Sequence, residues 1–446
     1  MKSPTRPRLP FLVSFALLGI GVTSAAEWPE WRGPDQQGHA PDATGLPLTW
    51  SETSNVAWKT PLPGRGHSTP VIDGDRIWLT TAQETPADPE DAKQRLQANT
   101  GGQPLNLLAE VRLHALCLDR KTGAVLHDVP LITRTKPQWV HQLNSYASPS
   151  PVISDGKLFA HFGAFGTAAV DAVTGAVLWT NEDEALSVMH ENGPGSSPVV
   201  WKDKLIVHLD GSDRQFIVAL DTATGKIAWK TDRTGALEQN PQLRKSYATP
   251  ILSPLPDGGT ELISATADWL YAYDPSTGSE RWKVSYGHLG FSNVSRPVMG
   301  HGMIYVPTCF MKSRLLAFRY NGSTAPKVAW EITRAMPNQP SPLLVGDDLY
   351  LIDDRGVLTC ADAHSGEVFY QERLAGGGNF SASPIHADGR IYAVSQEGKT
   401  IVIQPGRTFQ VLAENQLDGA LMASPVAVEK ALFLRTSLAL YRIETP

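Results

Sequence analysis

The chain has 446 residues, 19% charged and 41% hydrophobic, with a formal net charge of −6, the balance of a soluble protein able to bury a substantial core. Its 38 Gly and 34 Pro favour turns over long helices, since both residues interrupt helical runs, so an all-β fold is expected. The acidic balance lacks the basic footprint that nucleic acid requires, and it argues equally against an anionic membrane surface.

Residues 1–26 read as a cleavable secretory signal. Lys2, Arg6 and Arg8 precede an apolar run over residues 11–22, and Ser24-Ala25-Ala26 supplies small residues for cleavage. The run is shorter than the ~20 apolar residues that cross a bilayer, and no Cys stands at the cleavage point to accept lipid. The expectation is a periplasmic or secreted chain starting near Glu27, without membrane insertion. Residues 27–55 form an N-terminal segment containing Trp28-Pro29-Glu30-Trp31-Arg32-Gly33-Pro34.

From there a repeat takes over. CLDRKTGAVLH begins at Cys117, AVDAVTGAVLW at Ala169, ALDTATGKIAW at Ala219, AYDPSTGSERW at Ala272 and CADAHSGEVFY at Cys360, with a degenerate copy, AFRYNG then VAW, from Ala317. In the five full copies, a short apolar strand meets an Asp that can accept hydrogen bonds from the turn backbone and a Gly that can take φ > 0. The chain then reverses into a strand bearing Trp179, Trp229, Trp282, Trp330 or, as substitute, Tyr370. These aromatics are expected to fill space between blades rather than to catalyse. Cys117 and Cys360 occupy the small-residue position and read as buried strand residues. Cys309 lies in a loop, and three cysteines cannot complete a disulfide framework.

A second signature alternates with the first: Thr69-Pro70, Ser150-Pro151, Ser197-Pro198, Thr249-Pro250, Arg296-Pro297, Ser341-Pro342, Ser383-Pro384 and Ser424-Pro425. From Pro151 onward these prolines fall 41 to 52 residues apart, the period of a four-stranded propeller blade. Eight copies predict an eight-bladed β-propeller of four-stranded antiparallel blades over residues 56–446. The eighth unit lacks its Trp strand, and Asn55-Val56-Ala57-Trp58-Lys59-Thr60 matches the missing piece. Residues 56–62 are therefore expected to complete the last blade, which removes both exposed sheet edges. Residues 83–111 read as an insertion in the first blade, with a possible helix after Asp88-Pro89-Glu90-Asp91.

The AxDxxTGxxxW signature resembles the repeat of pyrroloquinoline-quinone (PQQ)-like propellers. That family includes quinoprotein alcohol dehydrogenases, the propeller of the outer-membrane β-barrel assembly machinery and exported proteins without known activity, whose leader segment residues 28–34 resemble. The resemblance implies the fold and leaves several functions open.

Function on such a scaffold is expected on the loops that lead into the Ser-Pro strands, opposite the Asp-Thr-Gly turns. Those loops carry the candidate ligand-binding residues His67, His141, Asn144, His190, Asn192, Arg244, Asn293 and Arg296, expected to converge around the mouth of one channel. No catalytic residue is assigned. His67, His141 and His190 have no metal-ligand spacing, so no metal is expected. In quinoprotein dehydrogenases the resemblance implies a calcium-held quinone, a neighbouring Asp base and adjacent cysteines. Here no two cysteines are adjacent and there is no haem-attachment motif, so no cofactor is expected and PQQ with calcium is disfavoured. The expected protein is a monomeric binding or scaffold module for a protein segment or small ligand, the alternative being a PQQ-dependent alcohol or sugar dehydrogenase.

Overall fold

A computed structural model describes residues 27–99, 102–322, 324–374 and 378–445; the proposed signal at residues 1–26 lies outside them. Eight four-stranded antiparallel blades make the ring, six of them from four consecutive strands; the first skips a two-residue strand, and the last borrows one from the N-terminal side. The third blade is typical: inner strand Val199–Trp201, then Lys204–Asp210, Gln215–Asp221 and outer strand Ile227–Asp232. The middle strands are almost wholly buried and the outer strand alternates with solvent, because neighbouring blades cover both faces of the middle of each sheet.

The eighth blade closes as the sequence suggests. Strand Val56–Pro61 pairs antiparallel with Ala439–Ile443, Lys59 opposite Tyr441 and Pro61 opposite Ala439, so the ring is joined by hydrogen bonds between the two ends of the chain. The first blade departs from expectation. Much of the 83–111 insertion is strand: Arg76–Pro86 and Leu108–Asp119 pair out to Pro86 and Leu108. The helix Pro89–Leu96 caps this long hairpin, with Asp88 Oδ1 accepting from the Glu90 and Asp91 N–H groups.

The repeat signature has a two-blade logic. Asp221 Oδ1 accepts from the Ala223 and Thr224 N–H groups and the Thr224 hydroxyl, at 2.8–3.1 Å, and Gly225 sits at φ +70°. The indole of Trp179, from the preceding blade, lies flat on that glycine, so a Cβ there would stand 2.4 Å from the ring. Its Nε1 donates to the Thr222 carbonyl at 3.1 Å. Trp58 does the same over Gly123, Trp229 over Gly278 and Trp330 over Gly366, and His127 substitutes over Gly175. Within its own sheet each large ring faces the small repeat residue: Ala169 opposite Trp179, Ala219 opposite Trp229, Cys117 opposite His127 and Cys360 opposite Tyr370. A small residue, a turn Asp, a Gly and a Trp therefore recur together because each blade supplies the cover for the next.

The Ser-Pro signature is a second ring. The Thr69 N–H donates to Ser150 Oγ, Ser150 to Ser197, Ser197 to Thr249, Arg296 to Ser341, Ser341 to Ser383, Ser383 to Ser424, and Ser424 back to Thr69, all at 2.9–3.2 Å. Each hydroxyl satisfies a buried backbone donor of the preceding blade that lies beyond the reach of any sheet. The link from the fourth blade to the fifth is different, because Arg296 brings no hydroxyl. Its Nε reaches back to the Pro250 carbonyl at 2.9 Å.

Residues 27–55 do not trail from the propeller; they stopper it. Trp28 bridges to Ile72, the Ile153 N–H donates to the Pro29 carbonyl, and Gln36 and Gln37 accept from the Leu252 and Met299 N–H groups. His39–Ala40 then adds a parallel strand to Ile385–Ala387. Inner strands carry unpaired N–H and C=O groups toward the channel, and this segment satisfies them.

Candidate functional site

The stopper turns the channel into a blind cavity of about 620 Å³ that opens on the Ser-Pro face. Trp31 is its floor residue, with Nε1 donating to Ser424 Oγ at 3.4 Å. Wholly buried Arg296 holds that floor. Its guanidinium donates to the Trp31 carbonyl at 2.9 Å, Glu30 Oε2 at 3.2 Å and Gln36 Oε1 at 3.0 Å.

Above the floor, the hydroxyl ring contributes Thr69, Ser150, Ser197, Ser383 and Ser424. The walls are largely neutral: Tyr247, Phe291, Phe310 and Met422 give apolar surface, while Gln242 and Gln339 give amides. Lys245 is the one Lys or Arg among the described lining residues, and these include no Asp, Glu or Cys. The Lys245 side chain is buried, its Nζ donating to Gln242 Oε1 at 2.5 Å. Burial pushes the ammonium down to about 8, against an opposing pull from Glu191.

Of the eight candidates from the sequence, four line this cavity: His67, His141, Asn144 and Asn192. Burial, with Arg65 and Arg435 adding to it, holds the His67 imidazole down at about 3, and burial lowers His141. Both rings are neutral at neutral pH. Asn144 is largely spent within the wall, its amide donating to the Asn192 and Pro194 carbonyls at 2.8 and 3.1 Å.

The other four do not line the cavity, which corrects the expected convergence. His190 is buried behind the wall, where Nε2 accepts from the Ala164 N–H at 2.7 Å, and burial holds it at about 4. Arg244 turns into its own loop to donate to the Glu238 and Gln239 carbonyls. Asn293 is buried between the Thr266 carbonyl and the Cys309 N–H, and that bond also fixes the buried Cys309 loop. Arg296 acts from beneath, through the floor. All four are polar groups satisfying backbone where strands end.

Lys245, Phe291 and Phe310 are among the lining residues that the sequence did not single out. Lys245 adjoins Arg244, which looked the better cation, and nothing local says which of two neighbouring cations turns inward. Phe291 and Phe310 come from loops of the fourth and fifth blades outside any repeat position. The readable clue was Trp31, one of two tryptophans packed closely within an otherwise polar leader.

The chemistry of this lining can be set against a calcium-held quinone. Ca²⁺ takes 6–8 oxygen ligands, usually with carboxylates among them, and the described lining has none. The three cysteines are buried, separate and free. An aromatic floor suits a flat ligand, but the donor set does not suit that cofactor.

The chain is similar both to outer membrane protein assembly factors and to dehydrogenases. It is 23% identical over 269 residues to the outer membrane protein assembly factor BamB of Yersinia pestis, covering 58% of this chain and 64% of that one. It is 24% identical over 233 residues to a polyvinylalcohol dehydrogenase of Sphingopyxis, covering 48% of this chain and 33% of that one. The chain thus matches less than two thirds of either relative. Among solved structures, a quinohemoprotein alcohol dehydrogenase from Comamonas testosteroni superposes with TM-score 0.59 at 12% identity, over 95% of this chain and 82% of that one. BamB from Moraxella catarrhalis gives 0.50 at 15%, over 81% and 97%. These two share the fold. No helix among the described residues is long and apolar enough to cross a membrane. The family model described as outer membrane protein assembly factor BamB matches residues 114–232 and 213–444, well over half the sequence, and the chain belongs to that PQQ-like propeller family.

Proposed function

We propose that this protein is an exported binding module whose ligand, a small molecule or a protein segment, enters the blind cavity on the Ser-Pro face. One observation carries the reading: the cavity combines an aromatic floor and walls with a single buried cation and no carboxylate among its described lining residues. Such a site favours a flat apolar group against Trp31 and Phe291 with an anionic group at Lys245. His67 and His141, held neutral, offer hydrogen bonds without a second charge. A signal at residues 1–26 would deliver the chain to the periplasm or beyond, where the monomer needs no redox partner.

The dehydrogenase reading is the weaker one. It needs oxygen ligands for calcium and a carboxylate base beside the substrate, and the described lining supplies neither. No catalytic step is assigned to the cavity.

Titration with an anilinonaphthalene sulfonate, which is flat, apolar and anionic, tests the reading. Binding is expected to weaken at least tenfold in Lys245→Met. It should also weaken as pH rises past about 8, because the ammonium is the attracting form and is lost above its folded pKa. Binding indifferent to both changes would sink the proposed ligand class. Stoichiometric, tight uptake of PQQ with calcium, together with alcohol-dependent dye reduction, would replace this reading with the dehydrogenase.

A further inference from the structure

On the opposite face, where the fifth and sixth blades meet, three turns bring two imidazoles and a carboxylate together. His301 comes from the first turn of the fifth blade, Asp347 from the first turn of the sixth, and His364 from the sixth blade's Asp362-Ala363-His364-Ser365-Gly366 turn. All three side chains are exposed, and one potential ligand atom from each lies within 4.8 Å of the others. Asp347 Oδ1 stands 3.5 Å from His301 Nε2 and 3.3 Å from His364 Nε2. The two rings are 4.4 Å apart between centroids.

Those spacings have a simple geometric meaning. Two ligand atoms held about 2.0–2.1 Å from a tetrahedral metal lie about 3.3–3.4 Å from one another, close to both observed edges. The backbone beneath the donors is already pinned. The Ala363 N–H donates to the Asp347 carbonyl at 2.8 Å, Trp330 Nε1 to the His364 carbonyl at 2.9 Å, and the Tyr320 N–H to the Gly302 carbonyl at 2.8 Å. Only side-chain rotation separates this arrangement from a coordinating one. Two bonds must give way, between His301 Nε2 and the Gly346 carbonyl at 2.9 Å and between His364 Nε2 and Asp347 Oδ1 at 3.3 Å.

We propose that His301, Asp347 and His364 form a surface site for a divalent metal of the zinc, nickel or copper type. Two imidazoles with one carboxylate select such borderline ions over Mg²⁺ or Ca²⁺, which prefer all-oxygen shells. One carboxylate leaves the bound dication with net positive charge and at least one open position for water or an incoming donor. The repeat does not require these histidines. Turn positions equivalent to His301 carry Asp155, Lys202, Asp388 and Glu429, and those equivalent to His364 carry Lys121, Val173, Ala223 and Ser276.

Calorimetric titration of the untagged protein with ZnCl₂ at pH 7.5 tests the site. One micromolar or tighter site is expected, weakened at least tenfold in His301→Ala and in His364→Ala. A second His-carboxylate group, Glu238, Asp268 and His288, supplies the control: His288→Ala should leave the zinc isotherm unchanged. Zinc should raise the melting temperature of the wild type but not of the double variant His301→Ala/His364→Ala. If that double variant binds zinc as the wild type does, or if His288→Ala abolishes binding instead, the assignment is overturned.

Discussion

The two faces of the ring are built on opposite plans. On the turn face five of the eight blades repeat one device: an Asp holds the turn, a glycine at φ near +70° stays bare, and an aromatic from the previous blade lies on it. On the Ser-Pro face the hydroxyl ring is also periodic, but what lies above and below it is not. The cavity owes its floor to an N-terminal segment, its cation to one loop lysine, and the anchoring of that floor to the one ring position where Arg296 replaces Ser or Thr. Periodic residues make the scaffold, and the departures from periodicity make the site.

Deleting residues 1–59 should destabilise the ring most severely, since it removes both the stopper and the strand that closes the eighth blade. Thermal unfolding should shift downward for the whole propeller in a single transition. A truncated chain melting like the full-length protein would mean that neither contact supports the ring.

The exceptional ring position comes next. Arg296→Ser would restore the missing hydroxyl yet leave Glu30 buried without its cation, a kind of change that costs about 3–5 kcal/mol. Ser341→Ala removes one ordinary ring link, leaves the buried Arg296 N–H without its acceptor and should cost about 1–3 kcal/mol. Urea unfolding of both variants reads the difference, and equal losses would show that Arg296 is merely another ring member.

Two glycines sharpen the account of the turns. Gly156 and Gly225 share φ +70°, but a Cβ at Gly156 meets nothing within 4 Å, while one at Gly225 strikes the Trp179 ring. Gly156→Ala should therefore cost only the left-handed strain, about 1–2 kcal/mol. Gly225→Ala should cost that and about 1–3 kcal/mol more for overpacking. Matching losses would mean that the indole yields freely and that backbone conformation alone selects glycine.

Acid sensitivity tests the buried imidazoles. Burial holds His161 and His190 down at about 3 and 4, so between pH 6.5 and 4 the unfolded chain binds protons that the native chain does not. Stability must fall with pH across that window. His161→Gln should flatten part of the decline in a series of denaturant melts, and an unchanged slope would show that this histidine takes up its proton without unfolding.

The eight blades, their turns and the closing strand were legible from residues alone, because these depend on hydrogen bonds and φ angles spanning a few positions and then repeat. Ala219, Asp221, Gly225 and Trp229 announce themselves by recurrence. Even so, the second reason for Gly225, the indole of Trp179, belongs to another blade and is invisible within one repeat. The site resisted reading for the same physical reason carried further. Arg296 bonds to Trp31 across 265 positions of sequence, and Lys245, rather than Arg244, faces the cavity because loops from separate blades decide which side chain is covered. His301 and His364 likewise meet only where adjacent blades bring their turns together. Local chemistry determined the ring; which polar side chains are spent on the backbone and which are left for a ligand was decided by tertiary packing, since that choice depends on neighbours the sequence does not adjoin.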